Sequence, residues 1–286
     1  MKDLCSGPVF NRLLRRKTVD LSRERLESLI GLARGEELGG LVRELNIRVP
    51  HYGTPCLGFL KDVMLQDITE DDIKFVEDQQ QIQDKTSCLA SLISAFKLLR
   101  RLDWIDVNLV VIMGVGLKVF DEPDWWQWDD HIGISYRVYG LVMSVIARSG
   151  IPVKALSIYQ QNHVFCVSLA GFTVLTDQLE RYGFKIPGSE IKDFAIKIGP
   201  HIPNHVDLSI WTGNDSPPDR DTLGLVRLLM QMKKLEDLQL DVFTNELNKY
   251  CSEKVFPAVA SLLHWPYLRR CTLGGIYTDE ASLLNF

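Results

Sequence analysis

The segment Asp121-Glu-Pro-Asp-Trp-Trp-Gln-Trp-Asp-Asp-His131 gathers three of the chain's six tryptophans among five carboxylates. Aromatic faces beside acidic groups suit a peptide, a sugar or a cationic group, which makes Trp125, Trp126 and Trp128 candidate partner-binding residues. The alternative is an insertion anchored by buried indole rings with a solvated acidic rim. Asp129, Asp130 and His131 bring metal-ligand types together, yet adjacent residues point in different directions and no partner at a fixed spacing accompanies them. His201 and His205 stand four apart, as ligands on one helix face do, but Pro200 and Pro203 make that segment a poor helix. The sequence therefore predicts no metal site.

Nucleophilic catalysis on an α/β scaffold needs a serine or cysteine in a strand-to-helix elbow such as G-x-S-x-G, and none occurs. Met113-Gly-Val-Gly-Leu-Lys118 holds a G-x-G without the third glycine and capped helix of a dinucleotide fingerprint, so it reads as a turn after a strand, and no cofactor is expected. Cys5, Cys56, Cys88, Cys166, Cys251 and Cys271 are scattered, with no pair at zinc-knuckle or redox spacing. They are expected to be reduced thiols of a cytoplasmic or nuclear protein.

Composition narrows the classes further. The chain has 286 residues, 46% of them hydrophobic, which is ample for a core, and a formal net charge of −5. That charge offers no general attraction for nucleic acid or an anionic membrane, and no apolar run is long enough to span a bilayer. Neither partner is expected. The basic start, with Arg12, Arg15, Arg16 and Lys17, is not followed by the apolar core of a signal peptide.

The elements that would position any site come from an internal repeat. Leu89, Leu92, Ile93, Phe96, Leu99 and Leu102 share every offset with Leu225, Leu228, Leu229, Met232, Leu235 and Leu238. The first four positions of each set fall on one helix face, and an L-x-x-L-x-Φ phrase, with Φ apolar, ends in strand-like alternation. Weaker copies precede Leu45, Leu156 and Cys271, and a strand phrase without a clear helix surrounds Phe194. The fourth-position residues Leu45, Leu102, Leu156, Phe194, Leu238 and Cys271 lie 33 to 57 residues apart, longer than the roughly 20 to 29 of ordinary leucine-rich repeats. Val206, Leu208 and Ile210 form a seventh candidate strand.

The predicted architecture is one α/β solenoid over residues 1–286, with insertions at about 50–83 and 120–132. It is an irregular leucine-rich-repeat-like stack of helix and strand units with a parallel sheet on one face. A doubly wound α/β domain is the alternative, though it would show continuous Val/Ile/Leu strands, which only Leu109 to Met113 approaches.

The phrase Trp265-Pro-Tyr-Leu-Arg-Arg-Cys-Thr-Leu-Gly-Gly-Ile-Tyr-Thr-Asp-Glu-Ala-Ser-Leu-Leu-Asn-Phe286 resembles the final repeats of fungal leucine-rich-repeat proteins of the F-box type, and Met232 to Val242 agrees with it. The resemblance implies a substrate receptor whose repeats hold a protein while an N-terminal F-box recruits a ubiquitin ligase core. The first 40 residues lack the Leu-Pro-x-Glu-Ile opening of an F-box, so the ligase partner is not carried over.

What remains is a non-catalytic protein-interaction scaffold with an unidentified protein partner, the alternatives being an α/β enzyme or a degenerate repeat protein. The expected binding surface is the sheet face opposite the helices, where alternate strand residues point outward. On it the sequence places Asn46, Arg48, Asp103, Ser157, Lys197, Gln239, Asp241 and Thr272, with Tyr159 and Trp211 as aromatic anchors.

Overall fold

A computed structural model describes residues 13–52, 85–112, 125–161, 165–199, 219–242, 255–260, 264–276 and 280. The chain groups into two compact units, one of residues 1–130 with 149–151 and one of residues 131–148 with 152–286. Both are α/β with parallel strands.

The first unit runs β1 (Arg16–Val19), α1 (Arg23–Arg34), α2 (Glu36–Gly39), β2 (Glu44–Tyr52), α3 (Lys85–Leu98) and β3 (Trp104–Ile112). β1, β2 and β3 lie side by side in chain order, with Leu45 opposite both Lys17 and Ile105. Strand alternation buries Leu45, Ile47 and Val49 on β2 and Ile105, Val107 and Leu109 on β3. The i, i+3, i+4 spacing gives α1 a buried stripe of Leu26, Leu29 and Ala33, and gives α3 one of Cys88, Leu92, Ala95 and Phe96. Ser22 caps α1 by accepting a hydrogen bond from the Arg25 amide, and Glu24 sits in the first turn, where the helix dipole favours an acid. Each fully buried leucine or phenylalanine contributes about 1.5–3 kcal/mol, so these stripes are what hold helix and strand together.

The second unit contains most of α4 (Trp125–Ser149), then β4 (Ala155–Ile158), β5 (Val167–Ser168), α5 (Leu169–Arg181), β6 (Asp193–Gly199), α6 (Asp219–Met230), β7 (Asp237–Val242) and β8 (Arg270–Gly274). β4, β6, β7 and β8 are parallel neighbours in that order, and β5 extends the β4 side of β6. Leu156 pairs with Phe194, Phe194 with Leu238 and Leu238 with Cys271. These are the four fourth-position residues that the repeat phrase predicts.

In the first unit the predicted register slips. Leu45 pairs with Ile105 and not with Leu102, because three residues after α3 are spent in a turn in which the Leu102 amide bonds to the Leu99 carbonyl. The matching turn after α6 has the Leu235 amide on the Met232 carbonyl. Leu102 is therefore the counterpart of Leu235, Ile105 of Leu238 and Leu92 of Leu225, and all six are buried. An apolar pattern with steps of three and four fits its own copy again after a shift of three, so sequence spacing alone does not separate the two alignments.

One hydrogen-bond device recurs where β3, β6, β7 and β8 begin. The carbonyl of Arg43 accepts from both Asp103 and Trp104 amides. That of Lys154 accepts from Lys192 and Asp193, that of Lys192 from Glu236 and Asp237, and that of Glu236 from Arg269 and Arg270. A shared acceptor of this kind satisfies two amides in a turn that would otherwise leave one unpaired, and it fixes each strand's starting level against its neighbour.

Within the expected insertion at 120–132, residues from Trp125 onward belong to α4. Its indoles and carboxylates interrupt the apolar period that the sequence shows only from Val138. The other expected insertion is trimmed, since β2 continues through Tyr52. Residues 53–84, the G-x-G at 114–116 and the candidate strand 206–210 lie outside the described residues.

Candidate interaction face

The outward side of each unit's sheet carries the residues that strand alternation leaves over. In the first unit they form registered rows: Arg16, Glu44 and Trp104, then Thr18, Asn46 and Asp106, then Arg48 and Asn108. Trp104 is 42% exposed. The sequence reading places it inward as the end of the repeat phrase, and the three-residue slip is what turns it outward. It is the aromatic residue that reasoning from sequence missed on this face, and the signal for it was the second fit of the repeat phrase three residues on, at Leu102, Ile105 and Val107.

Around Trp104 the charges are paired. Glu44 accepts a hydrogen bond from Arg15 at 3.0 Å, and the Arg16 guanidinium lies 3.9 Å from Asp106. Arg48 is exposed, as predicted. Asp103 sits one residue before β3 and not on the row itself, half-buried, 3.1 Å from Arg43.

Asn46 departs from expectation more strongly. Its position is outward by alternation, but only 1% of its surface is accessible, and among the described residues neither polar atom of its carboxamide has a hydrogen-bond partner. Asn108 is buried in the same way with both amide atoms unpartnered. A buried polar group without a partner costs about 1–3 kcal/mol, so these two positions are expensive relative to apolar ones.

In the second unit the rows are Ala155, Asp193, Asp237 and Arg270, then Ser157, Ala195, Gln239 and Thr272, then Lys197, Asp241 and Gly274. Arg270 pairs with Asp237 at 3.0 Å. Burial, and then the nearby Asp237 and Glu236, raise the Asp193 carboxyl above its ordinary value. Gln239 donates to Gln160 at 2.7 Å and to Asp241 at 2.9 Å, which ties β7 to the turn after β4. Asp241 fills the space over Gly274, where a Cβ would come within 2.2 Å of its Oδ1. The middle of this face is thus a hydrogen-bonded amide and carboxylate cluster, partly open to solvent.

Tyr159 is not on that face, which corrects its role as an exposed anchor. It follows the last residue of β4 with φ of 60°, and this left-handed step reverses the alternation. The ring is fully buried and its hydroxyl donates to the Ser135 carbonyl of α4 at 2.7 Å. Burial, reinforced by the neighbouring Cys166, pushes the phenol well above its usual range. Tyr139 packs edge-on against Phe172 beside the same helix, with ring centroids 5.3 Å apart.

Trp211, His201 and His205 lie outside the described residues. Trp125, Trp126, Trp128, Asp129, Asp130 and His131 belong to the backbone of α4, and their side chains are outside the described set. Among the described residues no cluster of three or more His, Cys, Asp or Glu side chains could hold a metal, and no helix is long and apolar enough to cross a membrane. In comparisons with known proteins the chain matches no family model, no curated protein and no solved structure.

Proposed function

We propose that this protein is a non-catalytic interaction scaffold of irregular leucine-rich-repeat type, which holds a protein partner on the outward side of its parallel strands. The observation that carries the reading is the registered rows: within each unit, strands follow chain order, and equivalent positions present polar side chains in line. A doubly wound domain reverses strand order partway along its sheet, so chain-order neighbours in both units favour the solenoid. Tryptophan dominates binding energy where a partner covers it, and Trp104 is the exposed tryptophan on such a row.

A reducing compartment suits the same reading. Burial raises the thiol of Cys88 to about 11, of Cys166 to about 12 and of Cys271 to about 11, so none is poised as a reactive thiolate. The resemblance to F-box-type receptors supplies the class of partner, a protein to be held, and the ligase core remains outside the proposal.

The test is a photo-crosslinking residue placed at Trp104 and, separately, at Gln239, with a control at Val174, which is 44% exposed on α5. The expected outcome is a partner band from the first two positions that disappears when another residue of the same unit's face is changed, Arg48→Ala for the probe at Trp104 and Thr272→Ala for the probe at Gln239, with melting temperature unchanged. Equal capture from Val174, or none from either face position, would sink the reading.

A further inference from the structure

A second surface in the first unit carries a more specific partner chemistry, and it stands apart from the sheet-face reading because its key residues are not on the strands. At the ends of α1 and α3 there is a groove of about 580 Å³ ringed by Arg34, Arg100 and Arg101 over Ala33, Leu41 and Leu98. A neighbouring hollow of about 450 Å³ shares Gly40, Leu41 and Arg101 and continues to Arg15, Arg43 and Asp103. The two make one channel along the edge where β2 and β3 begin.

The charge along this channel is uneven. In the second hollow Arg15 is neutralised by Glu44 and Arg43 by Asp103. In the first, the three arginines are exposed, and among the described residues no carboxylate lines the wall and no ion pair to them is found. The carbonyl ends of α1 and α3 contribute a charge of roughly −0.5 each, against three full positive charges, so the groove is cationic on balance. Arginine's planar fork is suited to bidentate capture of carboxylates, and it is less strongly hydrated than lysine.

We infer that this groove binds an acidic peptide segment of a partner protein, with Arg34, Arg100 and Arg101 pairing its carboxylates and an apolar side chain lying on Leu41 and Leu98. Half-buried Leu41 and Leu98 beneath the arginines fit an apolar side chain, for which a nucleic-acid backbone has no counterpart. The net charge of −5 also opposes a long polyanion while leaving a short acidic segment free to meet the local patch.

The experiment uses the full chain and a fluorescent peptide rich in Asp and Glu around one leucine, compared with its Asn/Gln counterpart, inorganic tripolyphosphate and duplex DNA. The acidic peptide is expected to bind and to weaken as salt is raised. Arg34→Glu/Arg100→Glu/Arg101→Glu should weaken it by about tenfold or more, since three attractive pairs are lost and three repulsions gained. Should the triple variant melt early, Arg100→Glu and Arg101→Glu alone, both at exposed turn positions, should each weaken binding about threefold. Trp104→Ala should leave the peptide's affinity unchanged, which separates failure of this site from failure of the sheet face. Equal binding of the Asn/Gln peptide, undiminished binding to the folded Glu variants, or binding of DNA or tripolyphosphate without binding of the acidic peptide would overturn the inference.

Discussion

At the scale of single residues, two side chains changed places. The alternation rule puts Tyr159 outward and Trp104 inward, and both are reversed: Tyr159 by a left-handed φ that residue type does not encode, and Trp104 because the apolar phrase fits equally well three residues later, at Leu102, Ile105 and Val107. Tyr159 is consequently a packing residue. Tyr159→Phe removes its hydrogen bond to the Ser135 carbonyl and is expected to cost about 1 kcal/mol, whereas Tyr159→Ala empties the site and should cost about 3–5 kcal/mol. Denaturant unfolding of both variants checks this, and a loss of partner binding in Tyr159→Phe at unchanged stability would contradict it. Asp193 gives a pH test. Its carboxyl is raised, so the folded chain holds the proton more tightly than the unfolded chain does, and its contribution to stability falls as pH rises through the carboxylate range. Asp193→Asn should therefore raise the melting temperature at neutral pH and lose that advantage below the carboxylate range.

Pairs of elements show which contacts admit no substitution. α5 and α6 touch through Gly224, whose amide donates to Thr173 Oγ1 at 3.2 Å, and a Cβ there would fall 2.1 Å from the Thr173 backbone nitrogen. Because the obstacle is backbone and not a flexible side-chain tip, Gly224→Ala must push the helices apart, and a loss of about 1–3 kcal/mol or more is expected in thermal or denaturant unfolding. Arg227, one turn along, bridges Asp177 and Glu180 of α5. Of the two, α6 was legible in the stripe Leu225, Leu228 and Leu229 and in its start near Asp219, whereas α5 was not, since the sequence reading finds no clear helix before the Phe194 phrase. The Gly224 contact was not, since a glycine in a helix pattern marks a close approach without naming its partner. The start of α4 was hidden for the opposite reason: Trp and Asp residues broke the apolar period although the backbone stays helical.

Over the whole chain, the repeat phrase read the second unit correctly from Leu156 to Cys271, because there every strand starts at the level its apolar residues announce. In the first unit the same phrase was displaced by three, and the outward face was displaced with it, which is why Asn46 and Arg48 were assigned to the right rows while Trp104, Asp106 and Asn108 were not. That displacement bears on how the chain reaches its native state. Three is odd, so a β3 strand that slipped by this amount would turn Ile105 and Val107 to solvent and drive Asp106 and Asn108 into the apolar layer. The buried carboxylate of Asp106, which the native register holds 3.9 Å from Arg16, would enter the apolar layer without that partner in the slipped one: it is a guard against a misfolded trap that the self-matching apolar period would otherwise leave open. Asp106→Val combined with Asn108→Val removes the guard. Stopped-flow refolding of that variant should acquire a slow phase that the parent chain lacks, and refolding indistinguishable from the parent would show that the alignment of β3 is enforced elsewhere.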